Sequence, residues 1–117
     1  MRTSLFSAIL VMAGLLTGCA HIDPHPMDMT AAIRSAKTVE DHQALARHYE
    51  AAADDMRAKA QEQKNCLAEY RRHASYYGRV TQDLRGQAHA LIRVYEEAAE
   101  ANMSMAKSHR LMAEETR

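Results

Sequence analysis

Residues 84–112, LRGQAHALIRVYEEAAEANMSMAKSHRLM, decide the fold. Leu84, Ala88, Leu91, Tyr95, Ala98, Asn102, Met105, His109 and Met112 recur in alternating steps of four and three. Side chains at those intervals share one helix face, so the spacing predicts a long helix carrying a coiled-coil seam. Thr81 offers a hydroxyl to cap its start, and Gly86 weakens it by about 1 kcal/mol. Asn102 is the polar member of the seam. A buried amide seeks a polar partner and so fixes register and oligomer number at some cost in stability, with Gln63 as its expected counterpart.

Upstream, Thr38-Val39-Glu40-Asp41 is another start signal, with a capping hydroxyl and two acids at the positive end of the helix dipole. Leu45, Tyr49, Ala52, Met56, Ala60, Gln63, Leu67, Tyr70 and Ala74 then mark one face of a first long helix. It runs to Tyr76-Tyr77-Gly78, where glycine can take the left-handed conformation that ends a helix. The two segments resemble each other. ALARHYEAAA at 44–53 and ALIRVYEEAA at 90–99 share Ala, Leu, Arg, Tyr, Glu, Ala and Ala at an offset of 46, which points to duplication of one helix.

A connection of a few residues forces antiparallel neighbours. The expected fold is therefore all-α, a long antiparallel helical hairpin over 38–117. Helices of roughly 34 residues would be about 50 Å long. A single seam is a thin core for so small a domain. Ile92, Val94, Met103, Leu111 and Cys66 on the flanks offer a second contact. A homo-oligomer is expected, either a four-helix bundle or a coiled-coil-like assembly.

Composition agrees. Among 117 residues there are four Gly, no Trp and one Phe, and the apolar content is mostly Ala, Leu, Met and Tyr. These residues favour helices and offer little to a sheet. Lys plus Arg and Asp plus Glu balance at 15 each. That neutrality argues against nucleic acid and against a polybasic grip on anionic lipid.

The N-terminus carries an address. Arg2 precedes an apolar run from Leu5 to Leu16, too short to span a bilayer but suited to a signal-peptide core. Leu16-Thr17-Gly18-Cys19 resembles the lipobox of bacterial lipoproteins. That resemblance implies a thioether-linked diacylglycerol on Cys19, cleavage before it, and an N-acyl chain on the new terminus. Residues 1–18 are then a signal peptide, and 19–37 are a lipidated N-terminus and flexible tether containing Pro24 and Pro26. Within that tether, Thr30 to Lys37 form a helical turn or two capped by Thr30. Ala20 stands where lipoproteins kept in the inner membrane usually carry Asp, which implies the outer membrane, facing the periplasm. Cys66 is then the remaining thiol in an oxidising compartment, either packed among apolar neighbours or forming an intermolecular disulfide.

Candidate chemistry is sparse. Met105, His109 and Met112 sit at i, i+4 and i+7 on one helix, with His21, His25, Met27 and Met29 in the tether. Thioether and imidazole are soft donors suited to Cu(I) or Ag(I). The competing reading is packing, since methionine fills gaps in helix seams. The carboxylate pairs Asp54-Asp55, Glu96-Glu97 and Glu114-Glu115 point about 100° apart and form no dyad. Glu50 with Asp54 and Glu96 with Glu100 are like-charge pairs, expected to be relieved by Arg47 and Arg93. Tyr76-Tyr77 forms an exposed aromatic pair at the hairpin tip. No His-Glu-x-x-His run, phosphate loop, haem site or nucleophile elbow is present, so the expected protein is not an enzyme.

The pattern His42-x-x-Leu45-Ala46-x-x-Tyr49-Glu50, followed by Leu91-x-x-x-Tyr95-x-x-Ala98-Ala99-x-x-Asn102-x-x-Met105-Ala106-x-x-His109-x-x-Met112-Ala113, resembles small exported helical proteins of Gram-negative bacteria. It covers roughly residues 40–113 and implies fold and location rather than activity. The expectation is a membrane-anchored structural or protein-interaction module with an envelope protein as partner. A soft-metal binding or tolerance protein is the first alternative. An accessory or exclusion lipoprotein of a secretion or conjugation system is the second.

Overall fold

Thr38 starts the first long helix through a reciprocal cap. The Asp41 amide donates to Thr38 Oγ1 at 3.1 Å, and the Thr38 amide donates to Asp41 Oδ2 at 3.0 Å. Two amides that the helix leaves orphaned are thereby satisfied. The Lys37 amide also donates to Asp41 Oδ2 at 3.0 Å, and it and the Thr38 amide hold the Asp41 carboxyl below its usual range.

The computed structural model describes residues 27–117, so Cys19, the lipobox, His21 and His25 lie outside the described residues. Helix α1 spans Met29–Ser35, α2 Val39–Arg72, α3 Ala74–Tyr77 and α4 Thr81–Glu115, with a 3-10 turn at Gly78–Val80. The protein is an all-α hairpin in which α2 and α4, 34 and 35 residues long, lie antiparallel. No helix among the described residues is long and apolar enough to cross a membrane.

Sequence and structure part company at several local points. Helix α1 is capped by Asp28, whose carboxylate accepts from the Ala31 amide at 3.1 Å, and not by Thr30. Aspartate one residue before the helix outcompetes a threonine already inside it. The first long helix stops at Arg72, so Ala74 leaves the seam and is exposed in the one-turn helix α3. Gly78 takes φ +57°, as the turn requires. Thr81 caps nothing. It is buried as the first residue of α4, and its hydroxyl donates to the Ala74 carbonyl at 3.0 Å, pinning the corner.

The seam of α2 follows expectation. Leu45, Tyr49, Ala52, Ala60 and Leu67 are buried, and Met56, Gln63 and Tyr70 are half-buried. Ala46 and Ala53 join them.

The seam of α4 follows it in part. Its buried or half-buried positions are Thr81, Leu84, Arg85, Ala88, Ile92, Tyr95, Ala98, Ala99, Asn102, Met103, Ala106, His109 and Ala113. A second heptad series, Leu84, Gln87, Leu91, Val94, Ala98, Ala101, Met105, Ser108 and Met112, lies beside it. The expected seam took alternate members from each. Leu91, Met105 and Met112, assigned to the core from sequence, are 40%, 51% and 42% exposed, and Ala98 is half-buried. The physical reason is helix approach: Ala99, Ala106 and Ala113 are buried in the same heptad spacing as Ala46, Ala53 and Ala60 of α2. Small side chains let two backbones pack closely, and larger ones are displaced to the flank.

The duplication survives in these phases. Ala46, Ala53 and Ala60 correspond to Ile92, Ala99 and Ala106 at the offset of 46. Leu45 and Leu91 correspond as well, yet Leu45 is 1% exposed and Leu91 is 40% exposed. Helix α1 accounts for part of the difference. It packs on the start of α2, where Met27, Ala32 and Ser35 line one depression together with Asp41, Ala44 and Leu45. Leu91 has no such cover among the described residues.

Candidate functional site

Two features lie outside simple packing: a histidine cluster at the hairpin's open end and an uncharged face on α4.

His42 lies in the first turns of α2 and His109 near the end of α4. Antiparallel pairing brings these two together although 67 residues separate them. Their Nδ1 atoms are 3.2 Å apart. The ring centroids stand 5.5 Å apart with planes 25° off parallel. That centroid separation equals the nitrogen separation plus two ring radii, so the rings meet end to end, with the two Nδ1 atoms aimed at each other. One Nδ1 must carry a proton and the other a lone pair for this contact to be a hydrogen bond. Tyr49, almost fully buried, lies against His109 with planes 9° apart and centroids 5.6 Å apart. Burial first, and then the neighbouring His42, hold His109 below the ordinary imidazole range. At neutral pH His109 is therefore uncharged.

His42 was visible in the sequence only as one residue of a pattern, and its link to His109 was missed. The sequence shows only that His42 lies near the start of the first long helix and His109 near the end of the second.

The expected set of Met105, His109 and Met112 does not assemble. His109 turns into the seam towards His42, whereas Met105 and Met112 lie on the open face. Met27 and Met29 of the tether set are half-buried, Met27 against the start of α2. Among the described residues no group of three or more His, Cys, Asp or Glu gathers as a metal site. Cys66 is a half-buried free thiol.

Asn102 is half-buried and its amide donates to the Ala98 carbonyl of its own helix at 2.8 Å. It does not reach Gln63. The Lys64–Glu96 contact places residue 63 level with the turn around 96, away from Asn102. Arg85 sits in the seam near the tip, and its Nε is buried without a partner.

Charges sort the hairpin into two unlike faces. On one flank Arg110 donates from Nε and Nη2 to Glu50 at 2.6 to 2.8 Å, and Lys64 meets Glu96 at 2.7 Å. Glu50 is thus relieved across the hairpin and not by Arg47. Arg93 sits 4.0 Å from Glu97, and Arg57 pairs with Asp54. On the other flank the second series of α4 runs from Leu84 to Met112 without a Lys, Arg, Asp or Glu, about 42 Å of helix. Val94, at 51% exposed, continues the apolar line between Leu91 and Met105. Tyr76 and Tyr77 mark the tip, exposed and edge to face at 5.4 Å.

No protein-family model matches the chain, and no curated protein or solved structure matches it.

Proposed function

We propose that the protein is a non-catalytic, lipid-anchored module of the bacterial cell envelope, held at the outer membrane through acyl chains on Cys19. It acts by assembling helices beside that membrane. The observation that carries the interaction reading is the uncharged face of α4. A free face of a surface helix is ordinarily polar, and an apolar stripe of this length marks a contact surface. The lipobox supports the anchor. Two or three acyl chains give stable attachment where one would be marginal.

The occupant we assign to this face is a second copy of the chain, forming a four-helix bundle. The stripe offers roughly 500 Å² on each copy, so a symmetric pair reaches the ~1,000 Å² at which specific interfaces begin. The corresponding phase on α2 is already capped at its start by a helix, α1, which favours a helix on α4 as well.

Chemical cross-linking of the lipidated protein in its own membranes tests this. The wild type should give a covalent dimer, and Leu91→Glu with Met105→Glu should abolish it while leaving helicity intact. A cross-link to another envelope protein, lost in the same variant, would keep the interaction face and replace its occupant. Cross-linking indifferent to both substitutions would overturn the reading. Mass spectrometry of the N-terminal peptide tests the anchor separately, and an unmodified Cys19 would refute it.

A soft-metal role is the second reading, favoured by the His42–His109 contact.

A further inference from the structure

We propose that His42 and His109 form a two-coordinate site for a monovalent soft cation, Cu(I), which bridges α2 and α4 at the open end of the hairpin. This goes beyond the assembly reading and does not depend on it, since the site lies within one hairpin.

Two imidazole nitrogens on different helices point at each other along one line, 3.2 Å apart. A metal–nitrogen bond is roughly 2 Å long, so an ion centred between them needs about 4 Å from nitrogen to nitrogen. Small rotations of two side chains near a helix end supply the difference. The direction of the nitrogens selects the ion. A tetrahedral ion such as Zn(II) needs lone pairs that converge at an angle and two further ligands, and no group of three or more His, Cys, Asp or Glu forms among the described residues. A linear arrangement suits a d10 monovalent ion, which is satisfied by two donors, and imidazole is among copper's ordinary ligands.

The surroundings fit. His109 is packed against the Tyr49 ring, which fixes its plane. Binding replaces the proton between the two Nδ1 atoms by the ion; that proton leaves Nδ1 and the same ring takes one up on Nε2 from solvent, so both imidazoles stay neutral and no net proton is released. Because the two ligands come from opposite helices, the ion acts as a staple. It adds stability to a hairpin whose core is a single alanine-rich seam.

The test is anaerobic Cu(I) titration of the full-length chain in detergent, with bicinchoninate as competitor. A Cys19→Ser, Cys66→Ser background removes thiols. One ion per chain is expected, with X-ray absorption reporting two nitrogen neighbours and a raised unfolding temperature. His42→Asn and His109→Asn should each weaken binding at least about tenfold, because a two-coordinate site has no spare ligand. Circular dichroism at 222 nm shows whether each variant stays folded. His21→Asn with His25→Asn should leave affinity unchanged, and so should Met105→Leu. Binding unaltered in His42→Asn, or lost on substituting the tether histidines, would overturn the assignment. So would the absence of a complex tighter than micromolar.

Discussion

Leu45→Ala and Leu91→Ala make a matched pair of perturbations, because duplication places the same residue in the same local sequence on two helices. Leu45 is 1% exposed and Leu91 is 40% exposed. Shortening leucine to alanine removes three carbon groups, worth about 0.8 kcal/mol each when fully buried. For Leu45 that is about 2.4 kcal/mol, and the space left between α1, α2 and α4 adds about 1 kcal/mol more. A total near 3 kcal/mol is a large share of the stability of a domain this size. For Leu91 no cavity forms, much of the side chain is already in water, and alanine is the better helix former, so the cost stays at about 1 kcal/mol or less. Urea unfolding of the full-length chain in mild detergent, followed at 222 nm, reads both numbers. At about 4–8 °C per kcal/mol, the melting temperatures should differ by roughly 10 °C or more. Leu91→Ala should also weaken the dependence of unfolding on protein concentration, which Leu45→Ala should not. Equal costs for the two would mean that Leu91 is a core residue and that the assigned seam of α4 is wrong.

Three further outcomes follow from the same geometry. Ala106→Leu places a large side chain where the residue is 1% exposed and should destabilise by about 1–3 kcal/mol in chemical denaturation, whereas Ser104→Leu on the exposed side should change little. Thr81→Val keeps the shape but loses the bond to the Ala74 carbonyl; it should cost about 1 kcal/mol and speed amide exchange at residues 74–80, and an unchanged exchange pattern would show that the corner is held otherwise. Glu50→Ala, Arg110→Ala and the double variant should give a coupling of about 0.5–1 kcal/mol that shrinks in high salt, because both groups are partly exposed, and a coupling insensitive to salt would contradict that account.

Helicity, the hairpin, the Thr38 start and the face of α2 were all legible in the sequence, because each depends on local spacing. Steps of three and four residues, a threonine before two acids, and a glycine in a short connection carry their meaning within a few turns of chain. Which side of α4 faces α2 was not legible. That helix carries two adjacent heptad series, Ala88–Ala99–Ala106–Ala113 and Leu91–Val94–Met105–Met112, and the larger hydrophobics drew Leu91, Met105 and Met112 into a seam that excludes them. Hydrophobicity alone favours burying leucine and methionine. Only the facing helix α2, with alanines at 46, 53 and 60, makes a close backbone approach the better solution. The same holds for the histidines. His42 and His109 are unremarkable apart, and their contact exists only because antiparallel packing brings the start of α2 beside the end of α4. Local periodicity determined that this chain would form two long helices, and the distance between those helices decided which face was sealed and which stayed open.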